Sequence, residues 1–195
     1  MERRTSTVSL EIRASADEPA ATMIVGYAAM FNQMSDDLGG FREVIAPGAF
    51  TKALDDDVRA LFNHDANIVL GRTRSKTLRI SQDEKGLAIE IDPPATAAAA
   101  ALMESIRRGD ISQMSFGFQT IKDKWEMNSS GEPLRTLLEV RLFDVSPVTY
   151  PAYSQTEVTL RSLAEFRKTV CAENISPQHM GAIARMKMLT SQAGI

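Results

Sequence analysis

The chain has 195 residues, a formal net charge of −3, one cysteine and two histidines, which suits one domain with a sizeable core and leaves no dense Lys/Arg run to track nucleic acid. Cys171 alone makes neither an intrachain disulfide nor a cysteine-rich zinc site, and His64 and His179 lack the helical spacing of a metalloprotease pair, so no metal centre is expected. No window reaches membrane-spanning length and the opening residues lack an apolar signal core, which predicts a soluble, unexported chain with no membrane partner.

In chain order, residues 7–14 alternate as a strand does, 17–19 interrupt, and 22–31 resume an apolar strand; the two predict an antiparallel pair. A loop over 36–40 precedes Pro47-Gly48-Ala49-Phe50, where the proline suits the first turn of a short helix ending near 55–57. Residues 58–63 predict a strand leading directly to His64, and 69–71, 77–80 and 87–91 predict further short strands. After Pro93-Pro94, the alanine run and its apolar continuation to Arg108 predict a helix, with Gly109 as its stop. The segment from Ile111 to Gln119 predicts a strand extending through 122–125, a turn follows at 128–131, and 134–143 predicts the second arm of a hairpin. Helix-like sequence lies at 162–170 and again at 177–189. The fold class is α+β, with a body at residues 1–162 whose core spans about 20–160, and a helical tail at 163–195.

Alternation places Met114, Phe116 and Phe118 on one strand face and Gln113, Ser115, Gly117 and Gln119 on the other. Ser115 therefore sits on a small, polar face beside a residue with no side chain, where a peptide backbone has room to approach. A serine that attacks a carbonyl needs a base to take its proton, and His64 is the only histidine in the β-rich body. A carboxylate would orient the imidazole. Leu138, Val140 and Leu142 share one face, so parity favours Glu139 on the other face over Asp144, which falls with the apolar set. Ser112 ranks below Ser115, and Asp65 ranks below both acids because it adjoins His64 on the opposite parity. Taken singly, these residue types more often mean a strand serine bonded to backbone, a half-buried histidine and a solvent-facing Glu139 paired with Arg141. No Gly-x-Ser-x-Gly elbow is present, which removes support for an unrelated serine hydrolase of that type.

An ordered set of segments carries a likeness. It runs from Gly26-Tyr27-Ala28-Ala29-Met30-Phe31-Asn32 and residues 41–50 through Leu61-Phe62-Asn63-His64-Asp65, Leu70-Gly71-Arg72-Thr73 and Arg108-Gly109-Asp110-Ile111. It ends with Met114-Ser115-Phe116-Gly117-Phe118 and residues 144–153. Over about residues 20–162 the chain resembles the tailed-phage prohead maturation proteases. The resemblance implies a mostly antiparallel β-barrel flanked by helices, as in the herpesvirus assemblins, and a serine endopeptidase without a cofactor. It implies His64 as general base, Ser115 as nucleophile and an acidic third member, assigned to Glu139 with Asp144 next; herpesvirus relatives use a second histidine, and His179 lies in the tail. The expected partners are the major capsid protein with its scaffolding segment, or a separate scaffold protein, inside the procapsid in the bacterial cytoplasm. Self-cleavage and a homo-oligomer, possibly a dimer, follow from the same likeness. The rival reading is a noncatalytic capsid-assembly protein that keeps the fold for binding. In the tail, Met180, Ile183, Ala184, Met188 and Leu189 form an apolar stripe suited either to docking on the shell or scaffold or to packing on the body.

Overall fold

A computed structural model describes residues 1–6, 10–14, 22–150 and 157–174. The strands are β1 (Glu2–Ser6), β2 (Glu11–Ala14), β3 (Thr22–Met30), β4 (Arg42–Ile45), β5 (Arg59–Phe62), β6 (Asp65–Arg72), β7 (Leu78–Gln82), β8 (Gly86–Ile91), β9 (Gln113–Met127) and β10 (Pro133–Val148). The helices are α1 (Ala97–Arg108) and α2 (Glu157–Asn174). Where the proline suggested a helix after Pro47, the chain makes turns and a single 3-10 turn at Ala53–Asp55. The stripe expected at 177–189 lies outside the described residues.

The class is α+β and most strand pairs are antiparallel, but hydrogen bonding does not close the strands into the expected barrel. One sheet is six-stranded, in the order β1-β9-β10-β5-β6 with β4 also on β10, and the other is four-stranded, in the order β2-β3-β8-β7. Periodicity along single strands carries no signal for whether the outermost strands meet. The parallel pairs are β10 with β4 and β10 with β5.

Both sheets contribute to one core. Ile24, Ile89 and Ile91 of the four-stranded sheet join Phe116, Phe118, Leu137 and Val140 of the six-stranded sheet. Each such side chain stabilises the fold by roughly 1.5–3 kcal/mol on burial. The Phe50 ring meets Phe116 edge-on at 5.7 Å, and Phe116 stacks on Phe118 at 5.0 Å, so the apolar face of β9 is fixed by aromatic packing. Helix α1 starts where the Thr96 side chain accepts from the Ala99 N–H at 3.3 Å. It ends at Gly109, whose φ of 83° suits glycine, and it buries Ala99, Leu102 and Ile106 at helical spacing.

The strand β1 reads as polar, Glu2-Arg3-Arg4-Thr5-Ser6, yet it is the neighbour of β9, with Thr5 opposite Ser115. Its buried side chains explain how. Arg4 donates to Glu43 at 2.8 Å and to Glu2 at 3.0 Å, while Arg135 donates to Glu2 at 2.7 Å, to Glu43 at 3.1 Å and to Asp123 at 2.7 Å. Thr120 donates to Glu2 at 2.6 Å. Burial pushes the Glu43 carboxyl above its ordinary range, against the pull of Arg4 and Arg135. Burial also opposes the charge on Arg135, but Glu2 and Glu43 outweigh it and hold the guanidinium protonated.

Candidate active site

The long hairpin of β9 and β10 supplies a platform. Across it, Ser115 faces Ser146 and Gly117 faces Asp144, so four small or polar residues occupy adjacent positions on two neighbouring strands. Ser115 and Ser146 are fully buried and Asp144 is 4% exposed.

His64 arrives from another direction. Strand β5 runs parallel to β10, with Asp144 opposite Arg59, and reverses into β6 through Asn63 and His64. Both turn residues have positive φ, 53° and 58°, as a two-residue primed hairpin turn requires. Holding two non-glycine residues there costs roughly 1–3 kcal/mol each and needs anchoring, although asparagine and histidine tolerate it better than most. Asn63 is the anchor. Its backbone N–H donates to the Pro147 carbonyl at 3.0 Å, its Oδ1 accepts from the Thr149 N–H at 2.9 Å, and its Nδ2 donates to Thr149 Oγ1 at 3.2 Å.

The turn presents the imidazole to the platform. His64 Nε2 lies 2.7 Å from Ser115 Oγ, and Nδ1 lies 2.5 Å from Asp144 Oδ2. Side-chain exposure is 3% for His64 and 6% for Asp144, so this contact is shielded from water. A carboxylate only accepts, so the Nδ1 proton points to Asp144 and leaves the Nε2 lone pair for the Ser115 hydroxyl. Asp144 Oδ2 also accepts from Ser146 Oγ at 2.9 Å. Such a chain is able to move a proton from the serine to the imidazole while the carboxylate stabilises the resulting cation.

The structure thus brings together Ser115, His64 and Asp144, and places Glu139 elsewhere. The Glu139 carboxylate accepts from Lys52 Nζ at 2.9 and 3.0 Å, in a pair whose lysine is 75% exposed. Face parity favoured Glu139 because it assumed an unbroken strand. The β9–β10 register instead shifts between Leu137 and Glu139, between Glu139 and Val140, and again between Leu142 and Asp144. A bulge reverses which face the following residues take, and several in succession erase a count begun at Leu138. Leu138 itself is 39% exposed, whereas Leu137 is fully buried.

Ser112 precedes β9 and is exposed. Asp65 opens β6, and its Oδ1 accepts from the Asn67 backbone and side chain at 2.8 and 2.9 Å. The open side expected beside Gly117 is filled from within the chain, because a Cβ on Gly117 would lie 2.3 Å from Asp144 Oδ1. Ser146 and the Asn63–Thr149 clamp are not among the residues that sequence patterning singles out. The signal for the first was a Ser-x-Gly on one strand facing an Asp-x-Ser on the next; the clamp has no local signature.

Among the described residues, no group of three or more His, Cys, Asp or Glu side chains is arranged to hold a metal ion, and no helix is long and apolar enough to cross a membrane. A family model described as caudovirus prohead serine protease matches residues 8–169. The chain is 29% identical over 176 residues to the prohead protease of Enterobacteria phage HK97, a span covering 83% of this chain and 74% of that protein. No solved structure matches.

Proposed function

From the family of caudovirus prohead serine proteases, to which this chain belongs, we propose that it cleaves capsid-assembly protein inside the immature phage shell, with Ser115 as nucleophile, His64 as general base and Asp144 as the orienting carboxylate. The observation that carries this reading is the bridging imidazole, 2.7 Å from Ser115 Oγ on one side and 2.5 Å from Asp144 on the other. His64 Nε2 takes the hydroxyl proton as Oγ bonds to the scissile carbonyl carbon, then returns it to the departing amine as the C–N bond breaks. Water, deprotonated by the same nitrogen, hydrolyses the acyl-enzyme and restores the serine. Asp144 holds the Nδ1–H tautomer and balances the imidazolium while it exists. No cofactor takes part in these steps.

The substrates in this reading are the scaffolding segment of the major capsid protein or a separate scaffold protein, together with the protease itself. The enzyme works in the procapsid within the host cytoplasm, self-associates, and keeps a likeness to the assemblins in its β-rich body. Its boundaries in this reading are a protease domain at 1–162 and a tail at 163–195. Mass spectrometry of capsid protein co-expressed with wild-type and Ser115→Ala enzyme tests it. Wild type should yield shortened capsid subunits with a defined new terminus, and the variant should lose turnover by roughly 10⁴-fold or more. Equal shortening with both would overturn the assignment, and no shortening with either would favour a noncatalytic assembly protein.

A further inference from the structure

We infer that Ser146 is a positioning residue that fixes the Asp144 carboxylate against His64. The inference rests on Asp144 being the orienting carboxylate. Ser146 is fully buried, and its hydroxyl donates to Asp144 Oδ2 at 2.9 Å, the oxygen that His64 Nδ1 also contacts. It stands directly across the β9–β10 ladder from Ser115, yet its hydroxyl turns along its own strand to the carboxylate. Asp144 and Ser146 are two residues apart on one strand, which puts both side chains on the same face.

Three features then define where the carboxylate sits. Ser146 holds Oδ2 from the C-terminal side, and His64 meets the same oxygen from the turn. Gly117 leaves the volume that Oδ1 fills, since a Cβ would come within 2.3 Å of it. A carboxylate that is 4% exposed and held at these points keeps its geometry through both proton transfers. The shared oxygen also sets the electrostatics. A donated hydrogen bond draws charge from Oδ2, so Asp144 stabilises the imidazolium less than a bare carboxylate at the same distance. Losing the Ser146 hydroxyl changes both the place of the carboxylate and the charge it presents to His64, and a pH profile registers the second where a fold defect does not.

The test follows the rate at which a fluorophosphonate probe labels Ser115 in the full chain between pH 5 and 9, which needs no knowledge of the natural substrate. Ser115→Ala must abolish labelling; if it does not, the nucleophile assignment fails, whatever Ser146 does. With that control in hand, Ser146→Ala should label roughly 10-fold more slowly at neutral pH, as expected for the loss of one hydrogen bond to a charged group. Its acidic limb should move to higher pH, and Ser146→Thr should restore both rate and limb. A Ser146→Ala enzyme with the wild-type rate and profile overturns the inference. So does a slower enzyme whose limb stays in place, because a purely structural defect lowers amplitude without moving the titration. If the alanine variant fails to fold, Ser146→Cys, close in size with a weak donor, carries the same comparison. A wild-type profile there also overturns the inference.

Discussion

The two ends of the β9–β10 hairpin both bury polar groups, and they resolve the cost of doing so in opposite ways. At one end, Arg135 lies among Glu2, Glu43 and Asp123, with Arg4 completing the set, so the resting protein already compensates its buried charges. At the other, Asp144 has neutral donors. Among the described residues its ion-pair partner is His64, which carries charge only when protonated. Pairing within the first cluster offsets part of the desolvation, incompletely at Glu43, and fastens β1 to the sheet. In the proposed mechanism the second is a buried carboxylate whose charged partner forms only when a proton moves from Ser115 to His64. The structural network is complete before anything happens, and the proposed reactive one is completed by the reaction.

Three substitutions probe that contrast. The largest effect is expected for Asp144→Asn, which keeps the shape but cannot compensate an imidazolium and favours the wrong tautomer. Turnover should fall by roughly 10⁴-fold while the thermal midpoint stays close to wild type. A modest loss would mean that the proposed site draws its compensation from another group. Next is Arg135→Met, which removes the cation that three carboxylates share. Breaking a buried ionic set from one side costs roughly 3–5 kcal/mol, read as a lower denaturant midpoint. The molecules that remain folded should label Ser115 at the wild-type rate, and a slowed rate in the folded fraction would show that the two ends are not independent. The smallest effect belongs to Glu139→Gln, between the two ends and paired with an exposed lysine. It should change stability by less than about 1 kcal/mol and leave turnover unaltered. If it instead matches Asp144→Asn, the third member must be reassigned.

What the sequence disclosed follows a physical divide. The strand around Ser115 was legible because Met114, Phe116 and Phe118 alternate with small or polar residues, and helix α1 because its alanine run is closed by Gly109. These signals are local. The β1 strand was illegible because its buried faces are charged, and the partners that make burial tolerable lie up to 133 residues away. Asp144 ranked second because bulges in β10 obey pairing with β9 and have no mark of their own in residues 137–144. His64 was placed at a strand's end and sits in the turn beyond it, since Asn-His lacks the glycine that usually announces a two-residue hairpin. Sheet closure was beyond reach for the same reason: it depends on which outer strands meet.

The separation of the imidazole from its partners has a consequence for the order of folding. His64 is 51 residues from Ser115 and 80 from Asp144, whereas Ser115, Gly117, Asp144 and Ser146 lie on the two arms of one hairpin. A hairpin closes early, and contacts over long stretches of chain must first repay their loop-closure entropy. On the proposed assignment, a molecule whose hairpin pairs before the Asn63–His64 turn docks would carry the serine and the carboxylate side by side with no base between them, and could not cut. On that assignment, cutting needs the 51- and 80-residue contacts of His64 as well as the hairpin, so pairing of β9 with β10 alone does not make the site.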